Sequence, residues 1–194
     1  MAKILGNFHF ALLIGIVLLV AAMVGLHHGM MDTAYWAVFA RYLHIFCGIL
    51  WIGLLYYFNF VQIPTMPKVP AELKPAVSKY IAPAALFWFR WAALATVLLG
   101  LVVGEISSHG YDGRALTFQV GARTIGIGMW LGIIMMLNVW VIIWPNQKKA
   151  LGIVPVEDAA KAKAASVAMM ASRTNLILSL PMLYCMIMGA HRPI

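Results

Sequence analysis

Apolar residues run through this chain in long unbroken stretches with no helical or strand alternation that would leave one face for water. Five stretches reach the length of about 20 apolar residues that a helix needs to cross the hydrocarbon of a bilayer. They lie at about 8–26, 35–61, 84–104, 124–144 and 174–190. The first contains no Asp, Glu, Lys or Arg, the second holds only Arg41, and the third carries Arg90. Trp36, Trp88, Trp91, Trp140 and Trp144 fall near the ends of these stretches, where an amphipathic ring is favoured at the membrane interface. The first stretch has the outline of a signal peptide, with Lys3, an apolar run and Val20-Ala21-Ala22. It is read as a retained helix. The pattern predicts an all-α integral membrane bundle of five helices, in one domain spanning residues 1–194.

Composition agrees. Of 194 residues, 63% are hydrophobic and 10% charged, against about 45–50% and about 25% in a soluble domain. A water-soluble enzyme fold cannot cover that much apolar surface. The net charge of +8 does not signal nucleic acid, because the basic residues sit between the apolar stretches and form no basic helix interleaved with aromatics. They act as topology signals instead. Lys3, Lys68, Lys74, Lys79, Arg90, Lys148, Lys149, Lys161, Lys163 and Arg173 share one side of a five-span chain; Arg41, Arg114, Arg123 and Arg192 share the other. The excess of Lys and Arg marks the cytoplasmic face, so the N-terminus is expected in the cytoplasm and the C-terminus in the periplasm of a bacterial inner membrane.

The connectors carry signals of their own. Pro64, Pro67, Pro70, Pro75 and Pro83 make 62–83 read as a folded-back connector with one short helical turn. Glu157-Asp158 before an alanine-rich run reads as a helix start, lying at the surface or extending the fifth helix. Cys47 and Cys185 sit inside apolar stretches with no CxxC or CxxCH pattern and read as small buried thiols. The thirteen methionines read as packing.

Ionisable residues at membrane depth are costly and point to function. His44 lies about nine residues into the second stretch, with Gly48 and Trp51 on the same helix face at i+4 and i+7. A histidine, a bare glycine and a flat aromatic form a surface on which a planar macrocycle could pack; a histidine bonded to a neighbouring helix beside a close-packing glycine explains the same spacing. His27, His28, His109 and His191 fall toward the same outer side, which makes them, with His44, candidate ligands for haem iron or copper. A second cluster gathers near the cytoplasmic end: Asn59, Gln62, Arg90, Asn138, Asn146, Arg173 and Asn175. Arginine and amide groups can hold a planar anion by paired hydrogen bonds; equally, arginines reach lipid phosphates and amides tie helices together. No nucleotide-binding loop, GxSxG or GxGxxG is present.

The segment Arg41-Tyr-Leu-His44-Ile-Phe-Cys-Gly48-Ile-Leu-Trp51-Ile-Gly53, continuing to Asn59, Gln62 and Pro64, is distinctive. Together with Phe87-Trp-Phe-Arg90-Trp91, Asn138-Val-Trp140, Trp144-Pro-Asn146 and Ser172-Arg-Thr-Asn175, it resembles the membrane domain of PuuD-type urate hydroxylases over about residues 41–189. More distantly the pattern is similar to the group of copper-resistance D proteins and HemJ-type protoporphyrinogen oxidases. The resemblance implies haem b or a metal held by His44, beside Gly48 and Trp51, and by one other histidine. It also implies urate hydroxylation with water as the oxygen source, the urate anion being oriented by Arg90, Asn59 and Arg173. The fused enzymes carry a C-terminal cytochrome c domain and this sequence has no CxxCH, so electrons would pass to a separate cytochrome c. Two other roles fit the same sequence: a non-catalytic subunit of a larger respiratory or oxygenase complex, and copper handling.

Overall fold

The structure is a computed structural model that describes residues 2–106 and 111–191. Among them every regular element is helical and there is no strand. Five helices are long and apolar enough to cross a membrane: α1 (Phe8–His27), α2 (Thr33–Lys68), α3 (Lys74–Ile106), α4 (Arg123–Ala150) and α5 (Asp158–His191). The protein is therefore a multi-pass membrane protein. Short helices at Ala2–Leu5 and Tyr111–Leu116 complete the set.

The chain forms two compact units, residues 1–39 and 40–194. In the first, α1 starts where Asn7 Oδ1 accepts from the backbone N–H of His9 at 2.9 Å and of Phe10 at 3.4 Å, satisfying donors that the first helical turn leaves free. No residue of α1 is buried. Gly29 takes a left-handed φ of +82° just past the helix end, and Asp32 Oδ1 accepts from Tyr35 N–H at 2.9 Å to start the next helix.

The second unit holds the core. Trp51, Leu55 and Phe58 of α2 meet Leu86, Phe89 and Ala93 of α3, Met135, Val139 and Ile143 of α4, and Ala171 and Met182 of α5. Without a hydrophobic drive between helices in lipid, small residues and polar pairs set the approach. A Cβ on Gly189 would come within 2.7 Å of the Ile125 backbone nitrogen, and one on Gly126 would collide with the Ala115 carbonyl oxygen. Amides bind α4 to α5: Asn138 Nδ2 donates to Ala171 O at 2.9 Å and to Asn175 Oδ1 at 2.7 Å, and Asn175 Nδ2 donates to Met135 O at 3.0 Å.

The helices outrun their expected lengths. Residues 62–83 were expected to form a folded-back connector; instead α2 continues to Lys68 and α3 begins at Lys74, leaving a break of five residues around Pro70. The reason lies in three π-helical turns, Tyr57–Gln62, Val77–Ile81 and Asn138–Ile143. Each is followed two residues later by a proline, Pro64, Pro83 and Pro145. Proline lacks an N–H and its ring presses on the carbonyl four residues back, and in all three cases that carbonyl lies within the widened turn. The helix therefore bends around the proline without ending. At the same end of the unit, α5 starts at Asp158, well before the expected 174, so the acidic start signal belongs to the same helix. Between α4 and α5, Gly152 with φ +75° closes α4: its N–H reaches Lys149 O at 3.1 Å and that of Ile153 reaches Lys148 O at 2.9 Å, the paired bonds of a glycine-terminated helix end.

Candidate functional site

His44 sits half-buried on α2 where it faces α3. Its Nδ1 donates to the Thr96 carbonyl at 2.8 Å, and Gly100 makes the space, since a Cβ there would lie 3.0 Å from the imidazole Cε1 and 3.2 Å from Nδ1. Thr96 turns its own hydroxyl back to Ala92 O at 2.7 Å. An imidazole whose Nδ1–H is given to a carbonyl is fixed in the tautomer that keeps a lone pair on Nε2, the arrangement in which histidines bind metals. As a donor atom His44 fits a haem iron or a copper ion. The surface expected beside it does not lie open. A Cβ on Gly48 would touch the Thr96 methyl at 3.7 Å, and Trp51 is 1% exposed inside the core, so this face of α2 packs on α3.

The other candidate ligands stand apart in character. His27 and His28 are exposed at the end of α1, His27 lying 5.4 Å from the Tyr35 ring. His191 is exposed and its Nδ1 donates to Ile187 O one turn back on its own helix at 2.8 Å. His109 lies outside the described residues. Among the described residues no three His, Cys, Asp or Glu side chains gather around one point.

The amide and arginine cluster divides in two. On α2, Asn59 Nδ2 donates to Leu55 O and to Ser172 Oγ of α5, both at 2.9 Å, while its Oδ1 is buried without a partner. Arg173, next to Ser172, is exposed. Arg90 of α3 is held elsewhere: its guanidinium carbon lies 3.8 Å from the centroid of the Trp144 ring and 5.5 Å from that of Trp140, both on α4, and 5.9 Å from Phe87. One guanidinium nitrogen, Nη1, is buried with no hydrogen-bond partner. The structure thus joins Asn59 to the helix that carries Arg173, and stacks Arg90 in an aromatic box. The box was missed by sequence reasoning; the recurring tryptophans read as interface anchors, and only their positions on α4 show that two of them face an arginine.

Asn59 and Arg90 belong to the end of the unit where α2 and α4 finish and α3 and α5 begin. His44 is 18 residues from Gln62 on the same helix, which is roughly 27 Å at 1.5 Å per residue. The cluster and the histidine therefore occupy opposite ends of α2.

No curated protein and no solved structure matches the chain. Residues 106–194 match the family model described as urate oxidase N-terminal, in agreement with the resemblance to the membrane domain of PuuD-type urate hydroxylases.

Proposed function

We propose that this chain is a membrane-embedded urate-oxidising component of a bacterial inner membrane, with its N-terminus in the cytoplasm. The single observation that supports this most is the match of residues 106–194 to the urate oxidase N-terminal family. The unpartnered buried groups add chemical support. Urate is a planar molecule carrying N–H donors and carbonyl acceptors; Asn59 holds the Ser172 hydroxyl through its amide, and Arg90 Nη1 brings a free donor and positive charge beside the anion. The stack on Trp144 holds the guanidinium plane, so its donors keep a fixed direction. Arg173, exposed on α5, supplies positive charge at the same end and draws the anion toward it.

Hydroxylation by water adds one oxygen to urate and releases two electrons and two protons. The electrons leave to a separate cytochrome c. A haem b or a copper ion on His44 supplies one-electron chemistry when bound. His44 contributes the ligand nitrogen, the Thr96 carbonyl fixes its tautomer, and Gly100 gives the ring its place.

The test is urate-dependent reduction of added cytochrome c by isolated membranes, compared with membranes from a strain lacking the gene. Reduction above the deletion background is expected. Equal rates in the two membranes overturn the enzymatic reading.

A further inference from the structure

Where α2, α3, α4 and α5 meet at the lysine-rich end of the second unit, they form an open-sided cavity of about 190 Å³. One side is aromatic: Phe58 and Phe89 pack edge to face with centroids 5.6 Å apart. Its polar groups come from three helices, Gln62 on α2, Gln147 on α4 and Ser172 on α5, and no charged side chain lines it among the described residues. Gln62 Oε1 is buried without a hydrogen-bond partner. Ser172 Oγ accepts from Asn59 Nδ2 and gives its own hydrogen to no described residue. Buried polar groups are ordinarily paired, so these atoms mark positions that a bound molecule completes.

The chemistry narrows the occupant. A carboxamide presents a carbonyl acceptor beside an N–H donor, which is the complement of a cyclic lactam edge. An aromatic side of this kind gives a planar ring an apolar surface to rest on. The volume is below the usual range of about 300–1,000 Å³ for ligand sites and suits one bicyclic heterocycle.

We propose that this cavity binds a planar, purine-sized heterocycle through its lactam edges, with Gln62, Gln147 and Ser172 as the positioning residues. The choice of urate as that heterocycle rests on the urate-oxidising reading above. Asn59 then acts from behind the cavity wall, holding the Ser172 hydroxyl. Arg90 and Trp144 directly follow the cavity residues Phe89 and Ile143 in sequence, which puts the positive charge next to the chamber and not within its wall.

The experiment is equilibrium dialysis of radiolabelled urate, and of xanthine as a second lactam, against the full chain in detergent micelles. Urate-dependent cytochrome c reduction by membranes is measured in parallel. Wild-type protein is expected to bind urate saturably. Gln62→Leu and Gln147→Leu should each weaken binding at least tenfold with an unchanged thermal melt. Ala165→Phe, at an exposed position on the cavity rim, should abolish binding while leaving every polar group in place; it keeps the test decisive if a glutamine variant fails to fold. If the variants bind and turn over urate like wild type, the cavity assignment is overturned and the urate reading stands. If xanthine binds in a Gln62-dependent way while urate is neither bound nor oxidised, the cavity stands and the urate reading falls. Binding of neither heterocycle overturns the cavity.

Discussion

The guanidinium of Arg90 lies 3.8 Å from the centre of the Trp144 ring, across the interface between α3 and α4. Such a stack is worth about 0.5–2 kcal/mol depending on how far it is desolvated, and it fixes the direction of the donors that remain. In the urate reading, Arg90→Lys should lower urate-dependent cytochrome c reduction at least tenfold, about 1.4 kcal/mol of transition-state stabilisation. Lysine keeps the charge and loses the planar fork. Trp144→Leu should lower the rate in the same direction, because the fork is then no longer held. Unchanged rates in both variants would assign Arg90 to packing and lipid contact alone.

His44 as a ligand is checked by spectroscopy. His44→Ala should remove any b-type haem spectrum or bound copper from the purified protein. Gly100→Val should do the same without deleting a donor atom, since the new side chain would enter the space of the imidazole ring. A wild-type spectrum in His44→Ala would exclude this residue as the ligand.

The amide ladder between α4 and α5 predicts a stability effect. Asn175 is fully buried, with 0% exposure, and it serves both Asn138 and the Met135 carbonyl. Asn175→Leu should lower the thermal midpoint in detergent by an amount equivalent to about 1–2 kcal/mol, toward the upper range for single interhelical hydrogen bonds in membranes, because two groups lose a partner together. A midpoint equal to wild type would mean the ladder adds nothing to stability.

Close backbone approach gives a sharper case. Gly126→Ala would place a methyl on the Ala115 carbonyl, and because that neighbour is backbone, the short helix Tyr111–Leu116 must move away from α4. Overpacking of this kind costs typically about 1–3 kcal/mol. The yield of monodisperse protein on size exclusion should fall, and Gly132→Ala, where an added Cβ meets nothing within 4 Å beyond its own helix backbone, should leave it unchanged.

Topology is tested by reporter fusions. A fusion after Gly152 should read cytoplasmic and one after Gly121 periplasmic, because the basic connectors stay inside. The reverse pattern would move His44 to the cytoplasmic half and the amide cavity to the periplasmic one.

The five crossings were determined by the sequence itself, because length and apolarity of a run are properties of the chain in one dimension and the bilayer reads them directly. The Glu157-Asp158 helix start was legible too, because it depends on a few adjacent residues. Helix ends near proline were not. Pro64 and Pro83 read as parts of a connector, and the π turns before them, like the one before Pro145, carry the helices through, a backbone adjustment that no side-chain pattern announces.

Pairings across the bundle were decided only by tertiary structure. A helix in lipid is apolar on every side, so periodicity does not tell which face meets a neighbour, and α1 and α4 look alike in sequence although α1 buries no residue and α4 enters the core. His44 is 52 residues from Thr96, and Asn138 is 37 from Asn175. His44, Gly48 and Trp51 were correctly seen to share a face, and only the fold shows that α3 covers it. Arg90 and Asn59 were visible as costly polar residues at one membrane end. That one stacks on Trp144 while the other reaches Ser172 follows from how far each helix is rotated about its axis, which packing sets and composition does not.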